Sequence, residues 1–275
     1  MRRLTFFLLL VVPVVLVFSL HPKEVLTVAF LDVGQGDAIF IESPSGVQVL
    51  VDGGATRGVL REIRSVMPFY DRTIDVVVST HPDQDHVGGL SYVLDRYQVG
   101  TVIESGNSAD TPAQNAFTRA RDAEGAREVV ARRGMRLLLG DGAYADILFP
   151  DRDVSGVESN TASIVLRVAY GGHSFLLTGD APHSIEKYLF SIYGKNLESD
   201  VLKAGHHGSR TSSNETFVKA VNPSYVVFSR GCDNRYGHPS RDVVELFKRL
   251  SVTAFDTCTN GTVTFVADGK SLKVR

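Results

Sequence analysis

Residues 74–90 read Ile74-Asp75-Val76-Val77-Val78-Ser79-Thr80-His81-Pro82-Asp83-Gln84-Asp85-His86-Val87-Gly88-Gly89-Leu90. A β-branched apolar run ends in Ser-Thr and delivers two imidazoles and two carboxylates within six positions, ahead of a glycine pair that opens a helix. Four such groups on one turn would repel one another or need separate hydrogen-bond partners. A divalent cation removes that conflict, because imidazole and carboxylate together form a metal ligand set. The plain alternative is a solvated polar loop, which is the costlier arrangement.

Polar groups recur at strand ends on both sides of this loop. Leu26–Leu31 reads as a strand, Asp32-Val33-Gly34-Gln35-Gly36-Asp37 as a glycine-rich turn, and Ala38–Glu42 as a second strand. Ser43-Pro44-Ser45-Gly46 joins it to Val47–Val51, so three strands form an antiparallel meander. The third ends in Asp52-Gly53-Gly54, where the carboxylate either orients a neighbouring loop or belongs to an ordinary Asp-Gly turn. Val59–Met67 has helical spacing and Pro68 stops it. A helix from Gly89 to about Tyr97 and the strand Thr101–Glu104 complete a strand-helix-strand crossover.

Thr111–Gly134 is the longest helical candidate, opened by Thr111-Pro112. Its arginines, Arg119, Arg121, Arg127, Arg132 and Arg133, could follow a phosphate backbone. Interleaved Asp122, Glu124 and Glu128, with Glu128 and Arg132 spaced i,i+4, favour a solvated salt-bridged face instead.

The second half repeats the theme. Met135–Leu139 and Ala143–Phe149 read as strands, Asn160-Thr161-Ala162-Ser163 leads into Ile164–Tyr170, and Gly171-Gly172 turns the chain into His173–Thr178, which ends in Gly179-Asp180. Pro182–Tyr193 is helical. A short strand, Asp200–Ala204, delivers Gly205-His206-His207-Gly208-Ser209, and in extended chain adjacent histidines point to opposite sides, so one faces the site and its neighbour supports it. The strand Tyr225–Ser229 leads to His238, a third strand-to-loop junction, whereas His173 and His183 stand alone and read as structural. Two halves of strands followed by helices, with all candidate ligands at one rim, imply an α/β four-layer αββα sandwich.

With 275 residues, 43% of them hydrophobic, the chain can bury a large core. Residues 1–22 hold two arginines and no acid, so the remainder has 27 basic against 31 acidic residues and a net charge near −4. A strongly basic nucleic-acid footprint is therefore absent, and DNA would be met through a local patch or bound metal. Arg2-Arg3 precede the apolar run Leu4–Leu20, which as a helix would span about 25 Å. It is either a signal peptide cleaved near Val17-Phe18-Ser19 or an uncleaved membrane anchor, and both place the following domain, residues 23–275, outside the cytoplasm. Cys232 and Cys258 each follow a strand end; if those strands are parallel neighbours, both thiols emerge at one edge and pair in an oxidising compartment.

The loop His81–His86 resembles the His-x-His-x-Asp-His signature of the metallo-β-lactamase fold, with Asp83 in place of the second histidine. Together with Asp32–Asp37, Asp52-Gly53-Gly54, Asn160 with Ser163, Gly179-Asp180, Leu202–Ser209 and Tyr236–Ser240, it resembles the C-terminal domain of ComEC-type DNA-internalisation proteins, from about Leu26 to the C-terminus. The resemblance implies a metal-dependent hydrolase cutting DNA phosphodiesters with two divalent ions. By position, His81 and Asp83 would hold one ion, Asp85, His86 and His238 the other, and Asp180 would bridge them. Asp52 would orient the loop from behind, with Asp37, Asn160, Ser163 and His206 also supporting the ligands. Asp85 would steer an activated water onto phosphorus, and Lys203 and His207 would offset charge or protonate the leaving oxygen.

Two departures from the family pattern qualify these expectations. Asn160 stands where many members supply a third histidine, which leaves the first ion weakly held or bound only with substrate. Asp83 hardens the ligand set, favouring Mn²⁺ or Mg²⁺ more than an all-histidine site would, with Zn²⁺ still open. ComEC-type proteins also carry a large membrane channel, so the resemblance implies a stand-alone nuclease or work beside a separate membrane channel protein. The competing readings are a hydrolase of a lactone, thioester or cell-envelope phosphodiester, and a non-catalytic DNA-binding scaffold.

Overall fold

The computed structural model describes residues 24–275. The apolar run Leu4–Leu20 lies outside them, and among the described residues no helix is long and apolar enough to cross a membrane.

Fifteen strands among these residues form two sheets. The first holds β1 (Leu26–Phe30), β2 (Ile39–Glu42), β3 (Gln48–Val51), β4 (Thr73–Ser79), β5 (Gln98–Glu104) and β6 (Arg127–Val130), and the second begins with β7 (Arg136–Gly140) and β8 (Ala143–Phe149). The second continues through β9 (Val165–Tyr170), β10 (His173–Leu177), β11 (Val201–Lys203), β12 (Tyr225–Phe228) and β13 (Thr253–Asp256), and β14 (Val263–Ala267) and β15 (Leu272–Val274) return to the first. The strand orders are β15-β14-β1-β2-β3-β4-β5-β6 and β13-β12-β11-β10-β9-β8-β7. Strands β1 to β3 form the expected meander, and Tyr170 pairs with His173 across the Gly171-Gly172 hairpin.

Strands β3 to β6 are mutually parallel, as are β10 to β13. Two antiparallel steps make β1 parallel to β3. The carboxyl ends of β1, β3 and β4 therefore share one rim with each other, and those of β10, β11 and β12 do the same in the second sheet.

The inner faces pack a core in which Phe265 lies 5.9 Å edge-on from Phe30, Phe175 and Phe255. Outside the first sheet, the helices Val59–Val66, Leu90–Leu94 and Pro112–Glu124 cover a second apolar cluster that includes Phe40, Val77 and Phe117. Outside the second, the helices His183–Tyr193, Glu215–Val221 and Arg241–Arg249 cover a third around Phe217, Leu189 and Phe247. Each buried Phe or Leu contributes roughly 1.5–3 kcal/mol. The four-layer αββα sandwich expected from the sequence is thus the observed fold.

One element differs. The helix expected over Thr111–Gly134 ends at Glu124, and Arg127–Val130 is the edge strand β6, parallel to β5. Gly125 stops the helix in the left-handed region at φ +72, and Val129-Val130 then suit extended chain. Glu128 and Arg132 are consequently not a helical pair. Arg121 instead binds Glu104, Asp122 and Glu128, so the salt-bridged reading of the arginine-rich stretch stands in altered form. The cysteines follow the expected logic: β12 and β13 are parallel neighbours and Cys232 is bonded to Cys258.

Candidate metal centre

The loop after β4 is held from behind by Asp52, at the end of β3. Asp52 is fully buried; its Oδ1 accepts from the Thr80 amide at 2.8 Å, and its Oδ2 accepts from Thr80 Oγ1 and from His86 Nδ1, each at 2.7 Å. A proton on His86 Nδ1 leaves Nε2 free to face the interior of the cluster. His81 is fixed similarly, with Nδ1 3.0 Å from Thr80 Oγ1 and a buried Nε2 that has no hydrogen-bond partner.

Asp37 enters from the turn after β1. Gly36 has φ +120, and a Cβ there would collide with the carbonyl of Asp85, so only glycine lets the turn come this close. The Asp37 amide then donates to the Asp85 carbonyl at 3.1 Å.

From the second sheet come Asp180, after β10, and Lys203 and His207, at and after β11. The Asp180 amide donates to Ser163 Oγ at 3.2 Å. Its Oδ1 lies 3.4 Å from His86 Nε2, and its Oδ2 lies 3.3 Å from His207 Nε2, 3.7 Å from His206 Nε2 and 4.0 Å from His81 Nε2. His207 Nε2 is also 3.3 Å from Asp85 Oδ2 and from His86 Nε2, while its Nδ1 donates to the Ser229 carbonyl at 2.8 Å. Asp83 approaches His81 Nε2 at 3.7 Å.

Asp180 is therefore the shared centre of the cluster: its Oδ1 faces His86, its Oδ2 faces His207, His206 and His81, and Asp85 lies beside His207 and Asp83 beside His81. Asp37, His86, Asp180 and His207 are all buried and offer one ligand atom each, all within 4.8 Å of one another. These residues fit divalent ions: three imidazoles present Nε2 inward with Nδ1 engaged outside, carboxylates lie among them, and His81 Nε2 has no hydrogen-bond partner among the described residues.

The electrostatics follow from this crowding. Burial would raise the Asp180 carboxyl, but His207, His86 and Lys203 outweigh it and hold Asp180 well below the usual carboxylate range. Burial would strip His86 of its proton, yet Asp180 and Asp52 raise it well above an ordinary histidine. His81 goes the other way, lowered by burial and by the neighbouring charge of His86.

The structure brings most of the expected residues together and rearranges some. His207, expected to aid the leaving group, occupies the place beside Asp85 and His86 where His238 was expected. His238 lies next to His206, ring centroids 5.6 Å apart. His206 and His207 do not alternate as strand residues would, because both adopt left-handed backbone, φ +49 and +54, and both rings reach Asp180. Asp37, expected in support, joins the cluster itself.

Lys203 is fully buried, and its Nζ binds Asp37 Oδ2 at 2.6 Å, the Gly179 carbonyl at 2.8 Å and Asp180 Oδ1 at 3.3 Å. All three donors are engaged within the protein, where Lys203 balances the buried carboxylates. Asn160 Oδ1 is buried without a hydrogen-bond partner, and Ser163 supports Asp180. The sequence signal that could have placed Asp37 is Gly36 beside it, a glycine demanded by close approach.

Comparison with known proteins identifies the family. The chain is 30% identical over 255 residues to ComE operon protein 3 of Bacillus subtilis, covering 86% of this chain and 32% of that protein. It is 31% identical over 244 residues to competence protein ComA of Neisseria gonorrhoeae, covering 89% and 33%, and so spans about a third of the length of these relatives. Among solved structures, the metallo-beta-lactamase fold protein YhfI of Bacillus subtilis superposes with a TM-score of 0.58 at 12% identity, covering 88% of this chain and 99% of that one. CmlA, a diiron beta-hydroxylase from Streptomyces venezuelae, gives 0.57 at 16% identity, covering 87% and 53%. Residues 31–231 match the family model for the metallo-beta-lactamase superfamily, and the chain belongs to that superfamily.

Proposed function

We propose that the chain is a hydrolase of DNA phosphodiesters that uses two divalent ions held around Asp180. The observation that carries this reading is the convergence of His81, His86 and His207 Nε2 on one carboxylate, each ring oriented by a partner on its far side. The competence relatives point to DNA as the substrate.

Asp85, His86 and His207 would hold one ion, His81, Asp83 and His206 the other, and Asp180 both. His238 lies beside His206 at the rim, where it can meet substrate. Bound there, divalent ions supply Lewis acidity toward a phosphoryl oxygen and lower the pKa of water to near neutrality. The chain's own residues fix the geometry: Asp52 locks the His86 tautomer, Lys203 sets the charge and position of Asp37 and Asp180, and Asp85 stands where it can accept a proton from an attacking water. The hard ligand set favours Mn²⁺ or Mg²⁺, with Zn²⁺ a further candidate. The apolar run Leu4–Leu20, read as a membrane anchor or signal peptide, would place the domain outside the cytoplasm.

The test is cleavage of single- and double-stranded DNA by the purified chain with Mn²⁺, Mg²⁺ or Zn²⁺, against Asp180→Ala. Metal-dependent cleavage abolished by the substitution is expected. Intact DNA with every ion, or undiminished cleavage by Asp180→Ala, overturns the proposal.

A further inference from the structure

We propose that Tyr236 is a stacking platform for one base of an unpaired DNA strand, so that the site selects single-stranded over double-stranded DNA. This rests on the hydrolase reading above and names the form of its substrate.

Tyr236 lies in the loop between β12 and the helix Arg241–Arg249. Its ring is 59% exposed and so free to meet a ligand. The ring lies nearly parallel to that of His238, at 15° with centroids 5.7 Å apart, and His238 in turn lies beside His206 at the metal centre. A base stacked on Tyr236 would thus be linked to the reaction centre through two rings.

The platform is held firmly. Asn234 Nδ2 donates to the carbonyls of Gly231 and His238 at 2.8 and 2.9 Å, and Asn234 Oδ1 accepts from the His238 amide at 2.8 Å. The Gly231 amide donates to Gln35 Oε1, and Cys232 ties the loop to Cys258. A loop braced on both sides of Tyr236 loses little backbone freedom on binding, which favours stacking over adaptive contact.

The surroundings suit a polymer. Tyr236 lines a cavity of about 310 Å³ together with Gln35, Gln84 and Asp85, so a strand stacked here passes a metal-centre carboxylate. That cavity shares Ala55 and Gln84 with a second of about 410 Å³, whose lining includes the exposed Tyr92. The Arg235 guanidinium carbon lies 5.7 Å from the Tyr236 ring centroid and, on a long exposed side chain, can turn toward a phosphate. Asp233 is the one acid of the loop and offsets part of this charge. In a duplex both faces of a base are covered by its neighbours, whereas an unpaired strand offers a free face, and each base-aromatic stack weakens on truncation by about 1–3 kcal/mol.

The experiment measures binding of a labelled oligothymidylate by fluorescence anisotropy in EDTA, and its cleavage with Mn²⁺, using the whole chain. Tyr236→Ala and Tyr236→Trp are compared with wild type, each with the intact oligomer and with a single abasic nucleotide placed in turn along it. Tyr236→Ala is expected to weaken binding on the order of 10-fold and Tyr236→Trp to preserve it. One abasic position should cost wild type a similar factor and cost Tyr236→Ala nothing, a coupling that a ring merely propping His238 would not produce. Matching duplex should bind more weakly than single strand.

An abasic penalty that persists in Tyr236→Ala, binding by Tyr236→Ala equal to wild type, or duplex bound as tightly as single strand overturns the platform. Cleavage without coupling removes the platform and leaves the hydrolase reading. Coupled binding without cleavage removes hydrolysis and leaves the platform. A wild-type chain that neither binds nor cleaves DNA removes both.

Discussion

Asp52→Asn changes one atom of a fully buried side chain, and its consequences can be worked through from three hydrogen bonds. Asparagine tolerates the left-handed backbone at this position, φ +59, so the substitution tests the carboxylate and not the fold of the turn. The carboxylate accepts from the Thr80 amide, the Thr80 hydroxyl and His86 Nδ1. An amide retains one acceptor, and wherever its NH₂ points it faces a donor. The Thr80 hydroxyl oxygen, which accepts from His81 Nδ1 at 3.0 Å, can also accept from an amide NH₂, but the Thr80 amide and His86 Nδ1 are donors with no alternative acceptor.

One unsatisfied buried donor costs about 1–3 kcal/mol. Loss of a carboxylate that orients a metal-ligating histidine typically costs 10- to 100-fold in metal affinity. Urea denaturation in EDTA reads the first effect, and calorimetric titration with Mn²⁺ reads the second. If Asp52→Asn unfolds within about 0.5 kcal/mol of wild type and binds Mn²⁺ as tightly, Asp52 does not orient the loop and the reasoning fails.

The charge balance makes a second prediction: Lys203→Met leaves Asp37 and Asp180 buried without their cation and should lose about 3–5 kcal/mol of stability in EDTA. Mn²⁺ should then restore more stability to the variant than it adds to wild type; equal gains would contradict the assignment of Lys203 to the carboxylates. Away from the site, burial pushes the Glu186 carboxyl up to about 7 despite backbone donors from Ser213 and Asn214. Its folded pKa lies above the unfolded value near 4.5, so the native state holds the proton more tightly; stability falls as pH rises from about 4.5 to 7, by roughly 3 kcal/mol in all. Urea melts from pH 5 to 8 should show wild type losing stability relative to Glu186→Gln, and parallel curves would refute this. Cys232 and Cys258 close a loop across a sequence separation of 26, worth about 3 kcal/mol in chain entropy, so Cys258→Ser should lower stability by that order. An unchanged denaturation midpoint would show that the bond constrains nothing.

Much of the site was legible because its residues follow strands whose apolar runs are clear. His81–His86, Asp52 and Asp180 each end a buried strand, and parallel neighbours bring such ends to one rim. The helix boundary at Glu124 was less legible: the interleaved charges of 119–133 continue a helical pattern through Gly125, and the pairing of Arg127–Val130 with β5 comes from the sheet. The position of His207 beside Asp85 and His86 was hidden for a different reason. Strand alternation predicts opposite directions for His206 and His207, and two successive left-handed residues cancel it. Asp37 required knowing that Gly36 meets the Asp85 carbonyl, a contact between residues about fifty positions apart. Tyr236 carries no periodic signal, and its role rests on the cavity it faces.

The measurement that bears most directly on the metal centre is the number of Mn²⁺ ions bound per chain at saturation, for wild type, His81→Ala and His207→Ala. Two ions in wild type and one in each variant are expected, because the proposed ligand sets assign His81 and His207 to different ions. Absence of stoichiometric metal in wild type, or unchanged binding in both variants, would contradict the account.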